Sequence, residues 1–306
     1  MTRVEEFEEL RPMLFAIAYR ILGSVSEAED AVQETWLRFA DSATEPTSTR
    51  SYLATVVTRI SIDVLRSARV RRESYVGQWL PEPLLTDPYE DPERSAELAD
   101  SVSMAALLLL ERLSPPERAV FVLREVFGFG FADVATAVGK SPAACRQLAV
   151  RARRHMEEGR PRFAADRREW EELADRFFDA FREGDLDGLR ELLAADVQMF
   201  GDGGGKAPQW RPIHGAERVA RTLTALMKLF TQMGCVVEPH QVNGEPGAIF
   251  RDRTGLVINI LAIDIGDGRV QAIRSVINPD KLHHVGPVAD AWAIAREANR
   301  IRRSTG

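Results

Sequence analysis

Six arginines stand close together near the middle of this 306-residue chain, in residues 146–162, against only two acids. Such a cationic patch is suited to the phosphates of a nucleic acid. Before it, Ser114 and Glu117 predict a capping box around two prolines, and Gly139 predicts a tight turn between two short helices. A basic helix after such a turn is typical of a helix-turn-helix that enters the DNA major groove. The DNA-binding residues predicted on this helix are Ser141, which caps it, and Arg146, Gln147, Arg151, Arg153 and Arg154.

The total charge of the chain is negative and argues against DNA binding, so a DNA-binding prediction depends on where the charges lie. The formal net charge is -6, and residues 82–100 hold seven acids and one arginine. Cys145 and Cys235 are too far apart for a disulfide framework and have no metal-ligand spacing, so we predict neither a metal site nor a cofactor. No apolar run approaches the ~20 residues that span a bilayer, so we expect a cytoplasmic protein with no membrane contact.

Three helices are predicted before the acidic stretch. Apolar residues recur every three or four positions from Phe7 to Gly23, where the first helix should end. Ser26 and Glu29 predict a capping box for the second helix. A third helix is predicted over residues 51–69, with a basic end.

After residue 160 the sequence pattern changes from helices alone to helices followed by strands, which predicts a different fold for the rest of the chain. Helices are expected over residues 167–182 and 185–194, and strands over residues 257–265 and 270–277 around a Gly-Asp-Gly turn. Helices followed by a curled antiparallel sheet indicate an α+β cone. Residues 288–303 could form a basic amphipathic helix or fray, and the position at the terminus favours fraying.

Several segments resemble a known family. Residues 30–37 (DAVQETWL) look like the polymerase-binding helix of bacterial sigma factors, and residues 51–66 resemble the adjoining promoter-melting helix. Residues 114–154 resemble the second DNA-binding domain of the family. With no domain between them, the architecture is similar to that of extracytoplasmic-function sigma factors. The remainder resembles a SnoaL-like, NTF2-type domain, and the segments at residues 79–85, 202–206 and 278–282 are similar to signatures of the SigJ-type subgroup.

The resemblance implies a multidomain fold class: two all-α helical sigma domains, the second with the helix-turn-helix, followed by an α+β, cone-shaped NTF2/SnoaL-like domain. The expected boundaries are sigma region 2 at 1–76, an acidic proline-rich linker at 77–103, sigma region 4 at 104–160, a SnoaL-like regulatory domain at 167–285, and a tail at 286–306. The family's two promoter elements lie two helical turns apart, roughly 70 Å. Residues 77–101 could extend to about 80 Å at ~3.3 Å each. The linker is therefore only slightly longer than the distance between the two promoter elements.

The resemblance also assigns site residues and partners. Core RNA polymerase and promoter DNA are the expected partners. Predicted polymerase-binding residues are Asp30, Gln33, Glu34, Trp36 and Leu37. Predicted DNA-binding residues in the first domain are Thr47, Ser48, Thr49 and Arg50 in a loop that contacts bases, and Arg59, Arg66, Arg69 and Arg72 against phosphates.

We interpret the SnoaL-like domain as a regulator in cis that replaces a separate anti-sigma factor and could hold a small ligand. An attached domain acts at high effective concentration, so it needs little intrinsic affinity. The residues predicted at its regulatory contact are Trp79, Leu80, Pro81, Asp202, Gly203, Gly204, Gly205, Lys206, Asn278, Pro279, Asp280, Lys281 and Leu282.

Two other function classes stay open at this point. One is a DNA-binding transcription regulator with a ligand-sensing domain. The other is a SnoaL-like cyclase or isomerase fused to a DNA-binding module, for which Asp202, His214, His240 and Asp264 would be the acid or base candidates. We predict no enzyme activity and assign no catalytic residue, because each histidine fits a structural position better.

Overall fold

A computed structural model describes residues 2–43, 45–73, 75–89, 101–159, 167–208 and 211–305. The side chains of residues 68–73, 159, 167, 304 and 305 lie outside the described set, and with them the predicted phosphate contacts of Arg69 and Arg72. Most of the acidic stretch, residues 90–100, also lies outside it. The chain divides into two compact units: unit 1 holds Met1–Ser74 and Thr86–Arg160, and unit 2 holds Tyr75–Leu85 and Pro161–Gly306.

The first helical subdomain of unit 1 consists of α1 (Arg3–Leu22), α2 (Val25–Ala40) and α3 (Thr49–Glu73). Gly23 ends α1 in the left-handed region, at φ 68°. The predicted capping box at Ser26 is wrong. Ser24 caps α2 instead, its hydroxyl accepting from the Glu27 amide at 3.1 Å, because the chain is extended again immediately after Gly23.

The second helical subdomain of unit 1 contains the predicted helix-turn-helix. Its elements are α4 (Met104–Glu111), α5 (Pro115–Phe121), a π-helical turn (Val122–Val126), α6 (Phe131–Val138) and α7 (Pro142–Gly159). The capping box of Ser114 and Glu117 is confirmed, and so is the turn at Gly139, which is left-handed with φ 65°. α6 and α7 are therefore the two helices of the motif.

Two buried arginines join the helical subdomains. Arg20 of α1 donates to the Ser101 hydroxyl at 2.7 Å and pairs with Asp87 at 3.0 Å. Arg118 of α5 donates to the backbone carbonyl of Arg20 at 3.1 Å and pairs with Glu111 at 2.6 Å. Buried guanidinium groups need such partners, so these bonds bind the subdomains into one packed body.

Unit 2 is a mixed sheet with helices on it. The helices are α8 (Arg167–Glu183), α9 (Leu186–Leu192), α10 (Ala216–Gln232) and α11 (Ala291–Thr305), and a 3₁₀ turn spans Pro279–Lys281. The strands are β1 (Leu193–Asp202), β2 (Ile213–His214), β3 (Val236–Val242), β4 (Glu245–Arg251), β5 (Val257–Gly266) and β6 (Arg269–Val276).

The sheet order is β2-β1-β6-β5-β4-β3. The predicted hairpin of β5 and β6 is confirmed, and its turn residues Asp267 and Gly268 both have positive φ, 53° and 65°. The expectation of a purely antiparallel sheet is wrong, because β1 pairs with β6 in parallel. Between β1 and β6 the chain passes through β2, α10, β3, β4 and β5, and β6 then lies beside β1 in the same direction.

The expectation of a frayed C-terminus is also wrong, since α11 is a helix. The chain before it is tied to β5, where the Val257 amide donates to the Pro287 carbonyl at 2.8 Å and the Ala289 amide to the Val257 carbonyl at 2.9 Å. Ala289 is in the core of unit 2, which is filled by aromatic side chains such as Phe181 and Phe250, with ring centroids 5.9 Å apart. Among the described residues, no helix has the length and apolar character needed to cross a membrane.

Candidate protein and nucleic-acid interfaces

The predicted polymerase-binding residues form a stripe along α2. Asp30, Gln33 and Leu37 are exposed at three- and four-residue steps, and Leu37 is 51 % exposed. Glu34 lies on the same stripe and pairs with Arg38 at 2.8 Å. An exposed leucine flanked by acidic and amide groups is suited to a protein partner.

Trp36 differs from the rest of this set. Its ring centroid lies 5.1 Å from that of Phe7 and 6.4 Å from that of Phe39, which is buried. The indole is therefore a half-buried part of the packing between α1 and α2, and Leu37 is the more accessible apolar side chain.

The loop before α3 is held by its own polar side chains. Ser48 accepts from the Ser51 amide at 3.3 Å, and the Thr49 hydroxyl donates to Glu6 at 3.1 Å. Thr47 and Ser48 are exposed. Of the four predicted base contacts here, Thr47 is thus the one placed in solvent without a described structural bond.

Two predicted DNA-binding arginines of α3 lie on the second helical subdomain. The Arg50 guanidinium lies 4.3 Å from the ring centroid of Phe129. Arg59 donates to the carbonyls of Thr136 at 2.6 Å and Ala137 at 3.4 Å, in the last turn of α6. A cation is favourable there because the C-terminal end of a helix carries partial negative charge. In these positions both guanidinium groups, Arg50 predicted to contact bases and Arg59 predicted to contact phosphates, lie against the second helical subdomain.

Arg66 has no such role and pairs with Asp63 of its own helix at 3.3 Å. It is exposed and lies at the same turn of α3 as its partner. Exposed pairs of this kind contribute about 0–1 kcal/mol, so Arg66 is available to other anions.

The recognition helix α7 begins as predicted. The Ser141 hydroxyl accepts from the Ala144 amide at 3.2 Å, which leaves the positive end of the helix dipole facing solvent. Arg146 and Gln147 are exposed in its first two turns, and the Arg146 guanidinium lies 5.3 Å from the Phe131 ring centroid. The helix therefore presents its N-terminus, a cation and an amide at its accessible end.

The other arginines of α7 are paired with acids. Arg151 lies 3.0 Å from Glu117 and Arg154 lies 2.8 Å from Glu158. Arg153 contacts both carboxylate oxygens of one acid, at 2.8 and 2.9 Å. Hydrogen bonding and charge from that acid, Glu125, raise the pKa of Arg153.

Sequence reasoning missed one exposed residue of this helix. Val150 is 64 % exposed, whereas Leu148 and Ala149 beside it are buried. Its position three residues after Gln147 was the available signal, because residues at that spacing share a helix face.

In unit 2, the segment Tyr75–Leu85, here called the strap, is attached around one buried carboxylate. Asp202, at the end of β1, is 0 % exposed. It accepts from the Tyr75 hydroxyl at 2.5 Å, from the Leu80 amide at 2.8 Å and from the Lys281 ammonium at 2.7 Å. Burial, and then the bond to Asp202, raise the pKa of Tyr75. The phenol therefore stays protonated as the donor.

Lys281 completes this anchor from the other side. Its ammonium lies 4.4 Å from the Trp79 ring centroid and 5.1 Å from that of Tyr75, and it donates to the Leu80 carbonyl. Lys281 is 6 % exposed, so the two rings and Asp202 replace the water around its charge. The anchor thus joins Trp79 and Leu80 to Asp202 and Lys281, four residues predicted for the regulatory contact.

The glycines after Asp202 allow a close approach to the strap. Gly204 has φ 56°, and a Cβ there would lie 2.2 Å from the Asn278 amide nitrogen and 2.8 Å from the Tyr75 hydroxyl. A Cβ on Gly205, which has φ 72°, would lie 3.3 Å from Val76. Asn278 donates to the Tyr75 hydroxyl at 2.9 Å. Glycine is required at residue 204 for both conformation and space.

The remaining residues of the two signature segments support this arrangement locally. The Gly203 carbonyl accepts from the Lys206 amide at 2.9 Å, and Lys206 pairs with the exposed carboxylate of Asp280. Pro279 starts the 3₁₀ turn, and Leu282 after it is fully buried. Pro81 is buried within the strap.

The far end of the strap has a second attachment that sequence reasoning missed. Leu84 donates to the Asn243 side chain at 3.0 Å, and the Asn243 amide donates back to the Leu84 carbonyl at 2.7 Å. His284 Nε2 hydrogen-bonds to the Pro83 carbonyl at 2.7 Å. Asn243 has φ 57° in the β3–β4 turn, so the Asn-Gly sequence there predicted a turn but not this contact.

The four acid or base candidates are not assembled into a site. Asp202 belongs to the anchor, and Asp264 forms an ion pair with Arg274. His214 is exposed on β2, and His240 is exposed on β3, where its Nδ1 bonds to the neighbouring Gln241 carbonyl at 2.7 Å. Within the described hydrogen bonds and ion pairs, no two of the four are joined.

Comparison with known proteins covers both units. Sigma-70 region 2 matches residues 7–71, Sigma-70 region 4 matches residues 103–156, and a SnoaL-like domain matches residues 174–297. The chain is similar to ECF RNA polymerase sigma factor SigJ of Mycobacterium tuberculosis, with 40 % identity over 91 % of this chain and 92 % of the relative. Probable ECF RNA polymerase sigma factor SigI of the same species is 32 % identical over 89 % and 92 % of the two chains. The crystal structure of Mycobacterium tuberculosis SigJ matches with TM-score 0.71 and 37 % identity, covering 94 % of this chain and 100 % of that chain.

Proposed function

The chain belongs to the extracytoplasmic-function RNA polymerase sigma factors, and from this premise we propose how its residues start transcription and how unit 2 restrains them. Sigma factors bind core RNA polymerase and promoter DNA, and they are not enzymes. We place this chain with those partners in the bacterial cytoplasm. The SnoaL-like domain at the C-terminus acts as a regulator in cis in this proposal, without a separate anti-sigma factor.

The stripe on α2 is the proposed polymerase contact. Leu37 supplies exposed apolar area, and Asp30, Gln33 and Glu34 supply polar groups at helical spacing on the same face. Buried apolar anchors provide most of the affinity of an interface, whereas charged groups set its register.

The loop before α3, the arginines of α3 and the exposed face of α7 are the proposed promoter contacts. In unit 1, Arg50 and Arg59 lie against the second subdomain. The two promoter elements are roughly 70 Å apart at ~34 to 36 Å per helical turn, so subdomains that bind both must separate. The packed form of unit 1 is therefore the resting form in this proposal.

The strap connects this separation to unit 2, and it is the observation that carries the regulatory proposal. Tyr75 and Leu80 contact the same carboxylate, that of Asp202, so the chain between them curves around one point. The rest of the linker, residues 86–101, reaches about 53 Å at ~3.3 Å per residue. While the strap stays on unit 2, it adds only the fixed distance between its two ends to this reach. Release of the strap restores the full reach.

Run-off transcription with core polymerase tests this proposal. The full chain is compared with a chain ending at Arg160, which keeps unit 1 and the strap, and with a chain ending at Asn278. We expect promoter-specific transcripts that require core polymerase, and a higher yield from the chain ending at Arg160. Identical output from all three chains would refute regulation by unit 2.

A double variant makes the same test within the intact chain. Tyr75→Phe combined with Trp79→Ala removes strap contacts to Asp202 and Lys281 without changing unit 2's own core. Gln78→Ala is the matched control, because Gln78 lies in the strap but makes none of these anchoring contacts. We expect the double variant, and not the control, to raise the transcript yield severalfold.

Dependence on core polymerase separates this function from an ordinary DNA-binding regulator. A regulator of that class binds its duplex tightly by itself, whereas a sigma factor gives promoter-specific initiation only together with the polymerase. Transcripts from core polymerase that do not depend on the added chain would contradict the assignment of this role to it.

A further inference from the structure

The recognition helix has an exposed valine on the face that carries Arg146 and Gln147. Four other apolar residues in its first three turns are buried against the rest of the subdomain. Val150, by contrast, is 64 % exposed. The buried set is Cys145, Leu148, Ala149 and Ala152.

The neighbours of Val150 distinguish it from a scattered surface valine. Arg146 and Gln147 lie four and three residues before it, on the same helix face. Together with Arg151 they line one shallow hollow that has Val150 in its wall. Single exposed valines are common on protein surfaces. This one lies among two cations and an amide on the face that the proposed function directs into the major groove.

We propose that Val150 is a specificity-determining residue that contacts the C5-methyl group of a thymine, beside a base pair read by Gln147. The inference rests on the proposed role of α7 as the promoter-reading helix. Thymine is the only base that presents a methyl group in the major groove, and an amide side chain matches the paired donor and acceptor of adenine. Three residues of helix rise about 4.5 Å, near the ~3.4 Å step between base pairs, so the two side chains reach neighbouring pairs.

The methyl contact differs in kind from the contacts of the arginines. Arg151, Arg153 and Arg154 are paired with acids and supply charge, which attracts any phosphate at low salt. Valine has no polar atom, so its contact adds sequence preference and little salt dependence. The proposal therefore predicts that binding weakens only when the methyl group is removed from particular thymines.

The test uses the full chain with core polymerase and duplexes that this complex selects from a random-sequence library. Each thymine of the selected duplex is then replaced singly by uracil, which lacks only the methyl group. For the unaltered chain, we expect one thymine whose replacement weakens binding about fourfold, the value for one buried methyl-sized group. For Val150→Ala, the same replacement should change the affinity by less than about 1.5-fold.

Val236→Ala is the matched control, because Val236 is 51 % exposed on β3 of unit 2 and undergoes the same truncation. It should keep the fourfold thymine effect. Val150→Ala is expected to fold, since the side chain is exposed and alanine is a better helix former. An equal uracil effect in Val150→Ala and the unaltered chain, or no sensitive thymine at all, overturns the proposal. If no duplex is selected with core polymerase, the proposed function fails instead.

Discussion

The strap anchor in unit 2 and the contact of α3 with α6 in unit 1 both depend on cations, but their surroundings differ. At the anchor, Lys281 and Asp202 are almost wholly buried and share Tyr75 and Leu80 as partners. At the other contact, the exposed Arg59 donates to neutral carbonyls. Water replaces the partners of an exposed cation at little cost, whereas an unpaired buried charge costs several kcal/mol. The anchor is thus the contact more sensitive to the loss of a charged partner, and the α3–α6 contact is the less sensitive one.

The largest expected effect comes from removing the buried carboxylate of Asp202, which tests whether burial distinguishes the anchor from the α3–α6 contact. Asp202→Ala leaves the Lys281 ammonium buried without its counter-charge, so we expect unit 2 to lose about 3–5 kcal/mol of unfolding free energy. Urea unfolding of the full chain measures this loss.

Asp280→Ala is the matched control for Asp202, since it removes a carboxylate whose pair with Lys206 is more than half exposed. Less than about 1 kcal/mol should be lost there. Equal losses in the two variants would mean that burial does not distinguish the anchor.

Gly204→Ala tests the space at the anchor rather than its charge. The new Cβ would have to displace Asn278 and Tyr75, so we expect a loss of about 3 kcal/mol by thermal unfolding, including about 1–2 kcal/mol for the left-handed backbone. Gly268→Ala has the same backbone conformation, φ 65°, with nothing within 4 Å of the Cβ, and should lose only the backbone part. If Gly204→Ala and Gly268→Ala lose the same unfolding free energy, close approach is not the reason for glycine at residue 204.

Arg146→Ala addresses DNA rather than either restraint, because Arg146 contacts the Phe131 ring within its own subdomain. We expect promoter affinity with core polymerase to fall by about 1–3 kcal/mol at fixed salt, because a base-edge contact is lost. Arg168→Ala on α8 of unit 2 removes the same charge outside both helical subdomains and should change little. Unchanged affinity and selectivity in Arg146→Ala would exclude it from base reading.

The smallest effect is expected at the exposed contact itself. Arg59→Gln weakens the bonds to Thr136 and Ala137 and should lower the stability of unit 1 by about 1 kcal/mol. Fluorescence transfer between dyes on the two helical subdomains should report a larger separated fraction. Arg66→Gln, whose only described partner is Asp63 of the same helix, should leave this fraction unchanged.

Local patterns predicted the elements well but not their partners. Periodicity located α1, the capping box at Ser114 and the left-handed Gly139, because each depends on residues within one turn. Ser26 failed as a cap because Ser24, two residues earlier, was already extended. The parallel pairing of β1 with β6 had no local signal, since the strands are far apart in sequence.

The proposed contact sites also show that local features were predicted better than contacts between distant residues. Residues of the signature segments meet at Asp202, which the resemblance suggested and composition alone did not. Tyr75 joins the strap to Asp202, and Asn243 and His284 contact its far end, through polar bonds across long sequence separations. Arg20 and Arg118 were missed for the same reason, because an arginine in an amphipathic helix usually faces water.

The strap has a thermodynamic consequence, because it lies in the sequence between the two subdomains that separate in the proposed mechanism. If the fold of unit 2 holds the strap, the two subdomains separate fully only after the strap is released. The free energy of unfolding of unit 2 then contributes to the free energy of that separation. Heat, or a molecule that binds unit 2 more tightly in one of these states, then shifts the fraction of active sigma factor through mass action alone. Unit 2 would in this way set the temperature at which transcription begins.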